Sequence, residues 1–419
     1  MSLLKDLTPP PGVIRPLALS NLVRTCGNGF LISVSVLYFI HSVGIPARQV
    51  GLGLTVASIL GMLISIPAGH LADILGPRTV SILFVGLQGV TVCGYVLVKG
   101  FPEFLVAVCL VTMADAAGNA SRGALVAGII PSADRVRARA YLRSVTNVGI
   151  SVGTVLGGLA LGYNHHSTYV YLLLLSGLLY VSGGLVFLVL PPVPPVERPA
   201  KQARGGVLRD RPFVLISVLN IALVMNGGLL TVALPIWIAE RTNAPVSMYA
   251  GLLLLNTVTV ILFQVRASRG ADTVRGGARA LSRSGVYTAL SCGLFALAGG
   301  RSVALAVVFL VVGTLVQVMG ELLYSAGSWA VSYELAPAHA QGQYQGLFGL
   351  TTQLGTAVTP AVTTALVIGF GWPGWLVFGL LLLAAALAMP RVVRWAEDSR
   401  DLVADSADPA GQAAQPSAV

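Results

Sequence analysis

The sequence has few charged residues. Only 10% of its 419 residues are Asp, Glu, Lys or Arg, whereas 55% are hydrophobic and the mean hydropathy is +0.82. A soluble domain needs roughly a quarter of its residues charged, so this composition excludes that class. Polar stretches are confined to about residues 191–212 and 391–419, and neither is long enough to form a folded soluble domain. We therefore exclude an appended catalytic domain and predict that the protein is not an enzyme.

The sequence also lacks the patterns of metal, disulfide and nucleotide sites. None of its four cysteines belongs to a C-x-x-C pair, which argues against a zinc site or a disulfide framework. None of its three lysines belongs to a G-K-[ST] motif, so no Walker loop can bind ATP. We expect no metal and no cofactor.

Long apolar runs fill most of the chain. Each is long enough to cross a bilayer as a helix, whereas the alternating segments of about ten residues that form outer-membrane barrels do not occur. We predict an all-α membrane protein with 12 transmembrane helices. The predicted spans are 16–43, 47–68, 79–99, 103–130, 141–162, 168–190, 213–239, 246–265, 284–300, 302–333, 343–369 and 373–390.

The basic residues lie mainly on one side of the predicted membrane. With the N-terminus inside, the inner segments hold 20 of the 26 Lys and Arg residues, and Arg143, at the very start of span five, is counted among them. The outer loops hold four, and Arg24 and Arg122 lie deeper within spans. The positive-inside rule then places both termini in the cytoplasm. The net charge of +10 is thus a topology signal, and we expect no nucleic-acid partner. Arg outnumbers Lys by 23 to 3, which is typical of high-GC bacteria and indicates a bacterial cytoplasmic membrane.

A stretch rich in Pro, Gly and basic residues divides the chain. We predict an N-terminal six-helix bundle over 1–190 and a cytoplasmic linker over 191–212. A C-terminal six-helix bundle follows over 213–395, and the polar segment 396–419 is predicted to be a disordered cytoplasmic tail.

The two halves repeat each other in sequence. An ordered series of matches at nearly constant offset predicts two pseudo-symmetric bundles related by an axis along the membrane normal. The matches include Asn28-Gly29 with Asn226-Gly227 at an offset of 198, Asp73 with Asp272 at 199, and Asp115 with Glu321 at 206.

Two carboxylates, Asp115 and Glu321, lie well inside predicted spans. Each precedes the proline that ends its helix by sixteen residues, or about 24 Å, which places both near the membrane midplane. A charge there costs roughly 2.5–3.5 kcal/mol or more, so such residues are retained mainly where they face a cavity. We predict that the pair binds protons or substrate. A structural ion pair or interhelical hydrogen bond is the alternative.

The loop after the second span contains the pattern G-x-L-A-D-x-x-G-x-R, with Gly69, Asp73, Gly76 and Arg78. It resembles the signature loop of the major facilitator superfamily, and it occupies the same place between spans two and three. The resemblance covers about residues 15–395 and implies a secondary transporter. We expect Asp73 to bond a helix N-terminus or nearby arginines in only one of two conformations. Its repeat counterpart Asp272 completes the predicted conformational-switch set.

Span five resembles the glycine-rich motif of the drug:proton antiporter branch. Glycines spaced by four residues also permit close helix packing. The glycines concerned are Gly149, Gly153, Gly157 and Gly158.

In that superfamily, spans one, four, seven and ten line the central cavity. Polar residues of these spans form stripes at helical spacing, for example Asp115, Asn119 and Arg122 at i, i+4 and i+7. Arg24 and Arg122 are predicted to hold a carboxylate or an anionic substrate group, unless they extend to the membrane surface or bond backbone carbonyls. The cavity candidates are Asn21, Arg24, Asn28, Asn119, Arg122, Asn220, Asn226, Gln317 and Tyr324.

The function implied by the resemblance is proton-coupled efflux of a small hydrophobic or amphipathic compound by alternating access, as in drug resistance. Uptake of a polar or anionic metabolite is the alternative, favoured if Arg24 and Arg122 both contact substrate. A membrane receptor or scaffold that does not transport is the alternative from another class. The expected partners are a small-molecule substrate, protons and the lipid bilayer, and the protein is expected to be a monomer.

Overall fold

The computed structural model describes residues 12–161, 166–193 and 206–407, and every regular element in these ranges is a helix. In the first half the long helices are α1 (Ile14–Ser42), α2 (Ala47–Leu75), α3 (Pro77–Leu97), α4 (Phe101–Ile129), α5 (Ser132–Leu161) and α6 (His166–Leu185). In the second half they are α7 (Arg211–Arg241), α8 (Met248–Ala267), α9 (Val274–Ala298), α10 (Val303–Glu334), α11 (Gln341–Thr363) and α12 (Trp372–Ala407).

Nine of these described helices are long and apolar enough to cross a membrane by length and composition. The other three, α5, α9 and α11, have polar segments. The first half of α5 carries four arginines, α9 carries three, and α11 is rich in Gln, Gly and Thr. Several helices continue past their predicted spans. For example, α5 begins at Ser132 and not at 141, because an apolar run marks the lipid-buried part of a helix and not its polar first turns.

The two sets of six helices pack in equivalent ways. In the N-terminal half, α1 contacts α5 and α6, and in the C-terminal half α7 contacts α11 and α12. Between the halves, α2 contacts α11 and α5 contacts α8. Since α2 and α8 are repeat equivalents, as are α5 and α11, these two contacts are related by the internal repeat.

Close contact between α1 and α5 depends on glycine. A Cβ at Gly149 or at Gly153 would lie 2.1 Å from an oxygen of α1, and one at Gly157 would lie 3.1 Å from a carbon of α1. In the C-terminal half, a Cβ at Gly355 of α11 would lie 2.2 Å from a side chain of α7. Gly158 differs, because a Cβ there would meet no described atom within 4 Å. Its predicted role in helix packing is therefore wrong.

The predicted disordered tail is also corrected. Residues 396–407 continue α12 as helix, with Ala396 buried. Arg400 donates a hydrogen bond of 2.7 Å to Asp210, which caps the start of α7 by accepting from the Phe213 amide at 3.1 Å. These contacts fix the last turns of α12 against α7. Residues 408–419 and 194–205 of the predicted tail and linker lie outside the described residues.

Candidate functional site

A cavity of about 570 Å³, here called the central cavity, lies between the two halves. Helices α1, α4 and α5 form one side of it, and α7, α10 and α11 form the other. The wall includes one of the two predicted proton sites and five of the predicted cavity residues. These are Glu321, Asn21, Arg24, Asn119, Arg122 and Tyr324.

The other four cavity candidates lie between helices, outside this wall. Asn28 accepts a hydrogen bond of 3.0 Å from the Tyr180 hydroxyl of α6. Gln317 donates a bond of 3.0 Å to Asn226, and both side chains are buried between α10 and α7. Asn220 is buried as well and accepts from the Tyr324 hydroxyl. These four predictions are corrected, because a polar stripe on a helix also includes residues that bond a neighbouring helix of the same half.

Asp115 lies within a polar cluster of the N-terminal half. Its Oδ1 is 4.0 Å from a guanidinium nitrogen of Arg24 and 4.0 Å from one of Arg122. The carboxylate accepts hydrogen bonds from Gln88 at 3.2 Å and from Asn119 at 3.0 Å. At these distances one carboxylate is shared between two arginines. Gln88 is not among the predicted site residues. The signal for it in the sequence is that it is an isolated glutamine within the apolar third span.

Glu321 has partners in both halves. Its Oε1 accepts a hydrogen bond from Arg143 of α5, and its Oε2 accepts one of 3.0 Å from Asn256 of α8. The Glu321 side chain is 17% exposed and the Arg143 side chain is 25% exposed. The ion pair therefore connects the N-terminal half to the C-terminal half at the cavity wall.

Arg143 and Asn256 were both missed as site residues. Arg143 was counted with the basic residues of the inner segments, but it lies far enough along α5 to reach Glu321. Helical spacing in the sequence could have indicated this position. Arg139, Arg143 and Thr146 are spaced i, i+4 and i+7, which places them on one face of α5, and all three line the cavity.

Four arginines thus line the cavity. They are Arg24, Arg122, Arg139 and Arg143. Three of them have a buried nitrogen that donates to no acceptor among the described residues, namely Arg24 Nε, Arg122 Nη1 and Arg139 Nε.

The face where α2 ends and α3 begins, here called the arginine-rich face, is closed by contacts between the halves. Asp73 accepts hydrogen bonds from the amides of Gly342 at 2.6 Å and Gln343 at 3.1 Å, at the N-terminus of α11. A Cβ at Gly69 would lie 1.9 Å from the Gly342 carbonyl oxygen, so only glycine allows this approach. The negative charge of Asp73 therefore lies at the positive, N-terminal end of the α11 helix dipole, where it is stabilised.

Other members of the predicted switch set differ in their contacts. Gly76 has φ +86°, which favours glycine at the turn between α2 and α3. Arg78 donates to the carbonyl oxygens of Phe187 at 3.0 Å and Leu188 at 2.5 Å, just after α6. Asp272 is exposed ahead of α9, so the repeat does not extend to the environment of the two aspartates.

A second ion pair crosses the halves near the same face. Arg135 of α5 lies 3.3 Å from Glu334 of α10. The halves are therefore packed together at the arginine-rich face.

A family model described as the Major Facilitator Superfamily matches residues 17–360. The chain is also 22% identical over 316 residues to the uncharacterized MFS-type transporter YhjO of Bacillus subtilis (strain 168), covering 74% of this chain and 75% of that protein. Neither match distinguishes the drug:proton antiporter branch.

Solved structures share the fold. The human organic anion transporter MFSD10 (TETRAN) gives a TM-score of 0.68 at 16% identity, covering 91% of this chain and 100% of that chain. The E. coli transporter FucP in the outward conformation gives 0.70 at 15% identity, covering 91% and 98%. These likenesses concern the fold, and together with the family match they confirm the predicted all-α membrane architecture of twelve helices.

Proposed function

The chain belongs to the Major Facilitator Superfamily, and on that premise we propose that it is a proton-coupled transporter whose proton-binding group is Glu321. The superfamily consists of transporters and not enzymes, so the chain is a multi-pass membrane transporter. We place it in a bacterial cytoplasmic membrane with the arginine-rich face in the cytoplasm, which the distribution of basic residues supports.

The ion pair between Glu321 and Arg143 is the observation that carries this proposal. It joins α10 to α5, and these helices belong to different halves. When Glu321 is ionised, the charge attraction holds the halves together at this level of the cavity. When Glu321 takes up a proton, that attraction is lost and the halves can separate there. Protonation and the rearrangement of the halves are therefore linked through one carboxylate.

Asp115 is less suited to this role. The hydrogen bonds and ion pairs described for it all involve residues of the N-terminal half. Its protonation would change the charge balance around Arg24 and Arg122 without changing an attraction between the halves. We propose that Asp115 orients these two arginines.

Alternating access requires that the cavity opens to one side of the membrane while it is closed to the other, and that the two sides then exchange roles. The contacts of Asp73 with α11 and of Arg135 with Glu334 close the arginine-rich face in the present arrangement. We propose that these contacts break when the cavity opens toward that face, and that the opposite face closes at the same time. The compound is then exposed to each side of the membrane alternately.

Flux in proteoliposomes under an imposed pH gradient tests this function. Wild-type protein should accumulate at least one compound of a panel that pairs small carboxylates with neutral and cationic amphipathic dyes. Glu321→Gln should bind that compound and exchange it down its gradient, but should not concentrate it. Glu103→Gln, at an exposed position of the first turn of α4, is the matched control and should transport normally.

Reversing the pH gradient decides the direction, because export and uptake require opposite gradients in the same vesicles. Full pH-driven accumulation by a folded Glu321→Gln variant would show that Glu321 does not carry the proton.

A further inference from the structure

We propose that the central cavity binds the anionic group of a small organic anion between Arg24, Arg122 and Arg139. This inference rests on the proposed transport function, because it names the class of compound that the cavity accepts. It favours a substrate with a carboxylate or phosphate group, as in the predicted alternative of an anionic metabolite, over a purely hydrophobic compound.

The charges at the cavity do not balance. Glu321 pairs with Arg143, and Asp115 is shared between Arg24 and Arg122 at 4.0 Å from each. Among the described residues of the site, four arginines therefore face two carboxylates. Burying a charge without a partner is costly, so a bound anion would supply the missing negative charge.

Arg139 has the least compensation of the four arginines. Its guanidinium carbon lies 5.3 Å from the centre of the Tyr333 ring, which gives a cation–π contact. No carboxylate among the described residues forms an ion pair with it. Arg139 thus contributes a positive charge that the protein itself does not neutralise.

The unused hydrogen-bond donors belong to the same three arginines. Arg24 uses one nitrogen to bond Asn21 at 3.2 Å, and Arg122 uses one to bond Asn119 at 2.5 Å. Arg24 Nε, Arg122 Nη1 and Arg139 Nε nevertheless have no acceptor among the described residues. Guanidinium groups form their strongest hydrogen bonds with carboxylates and phosphates.

The uncharged donors of the wall, in contrast, are partly occupied. Asn21 donates to the Leu142 carbonyl and to Thr146, and Tyr324 donates to Asn220. The remaining amide donors show the same pattern: Asn119 bonds Asp115, Gln345 bonds the Ser332 carbonyl, and Gln353 bonds Ser65. The second N–H of these three amides and the indole N–H of Trp329 have no acceptor among the described residues, so a neutral compound would find some donors, but only an anion would gain the attraction of the arginine charges.

The wall also has an apolar part. Leu17, Trp329 and Phe348 line the same cavity as the arginines. A volume of about 570 Å³ accommodates a compound larger than an inorganic ion. The combination fits a small amphipathic anion, with its charged group at the arginines and its apolar group against these side chains.

Thermal unfolding of the purified protein in detergent, at fixed pH and without a gradient, tests this site. The probes are benzoate and phenyl phosphate, each compared with an uncharged relative, benzamide and phenol. At least one anion should raise the Tm in a saturable manner, and its uncharged relative should not. The two anions separate a carboxylate from a phosphate preference.

Variants locate the bound anion. Arg24→Gln and Arg139→Gln should each weaken the apparent Kd of the effective anion at least tenfold, measured against the Tm of each variant alone. Arg139→Lys keeps the charge and should retain part of the effect, which covers the case in which a Gln variant does not fold. Arg241→Gln, exposed at the end of α7, is the control and should bind as wild type does.

Three results would overturn the inference: equal stabilisation by the uncharged relatives, unchanged binding in both Gln variants, or no stabilisation by either anion. Each can be told apart from failure of the transport proposal, because binding is measured without a proton gradient. Loss of pH-driven coupling in proteoliposomes with intact anion binding would contradict the transport proposal alone.

Discussion

Arg143 of α5 donates a hydrogen bond to Glu321 of α10, and this ion pair joins the two halves of the protein at the central cavity. Its repeat equivalent differs, because Asp115 contacts arginines of its own half. The two carboxylates therefore have different electrostatic surroundings at positions that are equivalent in the sequence repeat. We infer that one of them responds to the relative position of the halves and the other organises the arginines of one half.

Removing one member of the pair should destabilise the protein more than removing both. Arg143→Gln leaves the Glu321 carboxylate with Asn256 as its remaining described partner. We expect a loss of unfolding free energy on the order of 2 kcal/mol, below the value for fully buried pairs because both side chains are partly exposed. The double variant Arg143→Gln/Glu321→Gln should recover most of this loss. Detergent melting curves of Arg143→Gln, Glu321→Gln and the double variant measure this loss, and equal effects of single and double variants would contradict a coupled pair.

Asp73→Asn should shift the population of conformations while leaving the protein folded. The Asp73 carboxylate accepts two backbone amides at the start of α11, and the neutral amide interacts less favourably with that helix terminus. We expect the closed arrangement of the arginine-rich face to become less populated and transport to fall.

Single-molecule distances between labelled halves measure this shift. Asp272→Asn is the matched control, since Asp272 is exposed on the equivalent loop, and it should leave the distances unchanged. Unaltered populations in Asp73→Asn would rule out the conformational role of this carboxylate.

Gly153→Ala should lower the Tm, because the new Cβ would lie 2.1 Å from the Cys26 carbonyl oxygen and α1 and α5 would have to move apart. We expect a cost of about 1–3 kcal/mol, which is typical of overpacking. Gly158→Ala, one turn later and facing open space, should be neutral or slightly stabilising. Equal melting temperatures for the two variants would show that this helix contact is less tight than the structure indicates.

Sequence patterns predicted the twelve helices, because hydropathy is a local property, and the midplane depth of the two carboxylates stays a prediction. They did not predict that Arg143 is the partner of Glu321. That contact depends on how α5 and α10 cross, and the charge count used for topology had placed Arg143 with the inner basic residues. Helical spacing likewise defined a polar face on α7 and α10 but not whether Asn226 and Gln317 bond each other or face the cavity.

Measuring the distance between α5 and α10 as a function of pH tests the central claim most directly. Spin labels at exposed positions of the two helices, such as Val155 and Val308, report this distance by pulsed electron paramagnetic resonance. The account predicts that lowering the pH redistributes the wild-type distances, and that Glu321→Gln shows the low-pH distribution at every pH. A Glu321→Gln variant whose distances still change with pH as the wild type does would contradict it.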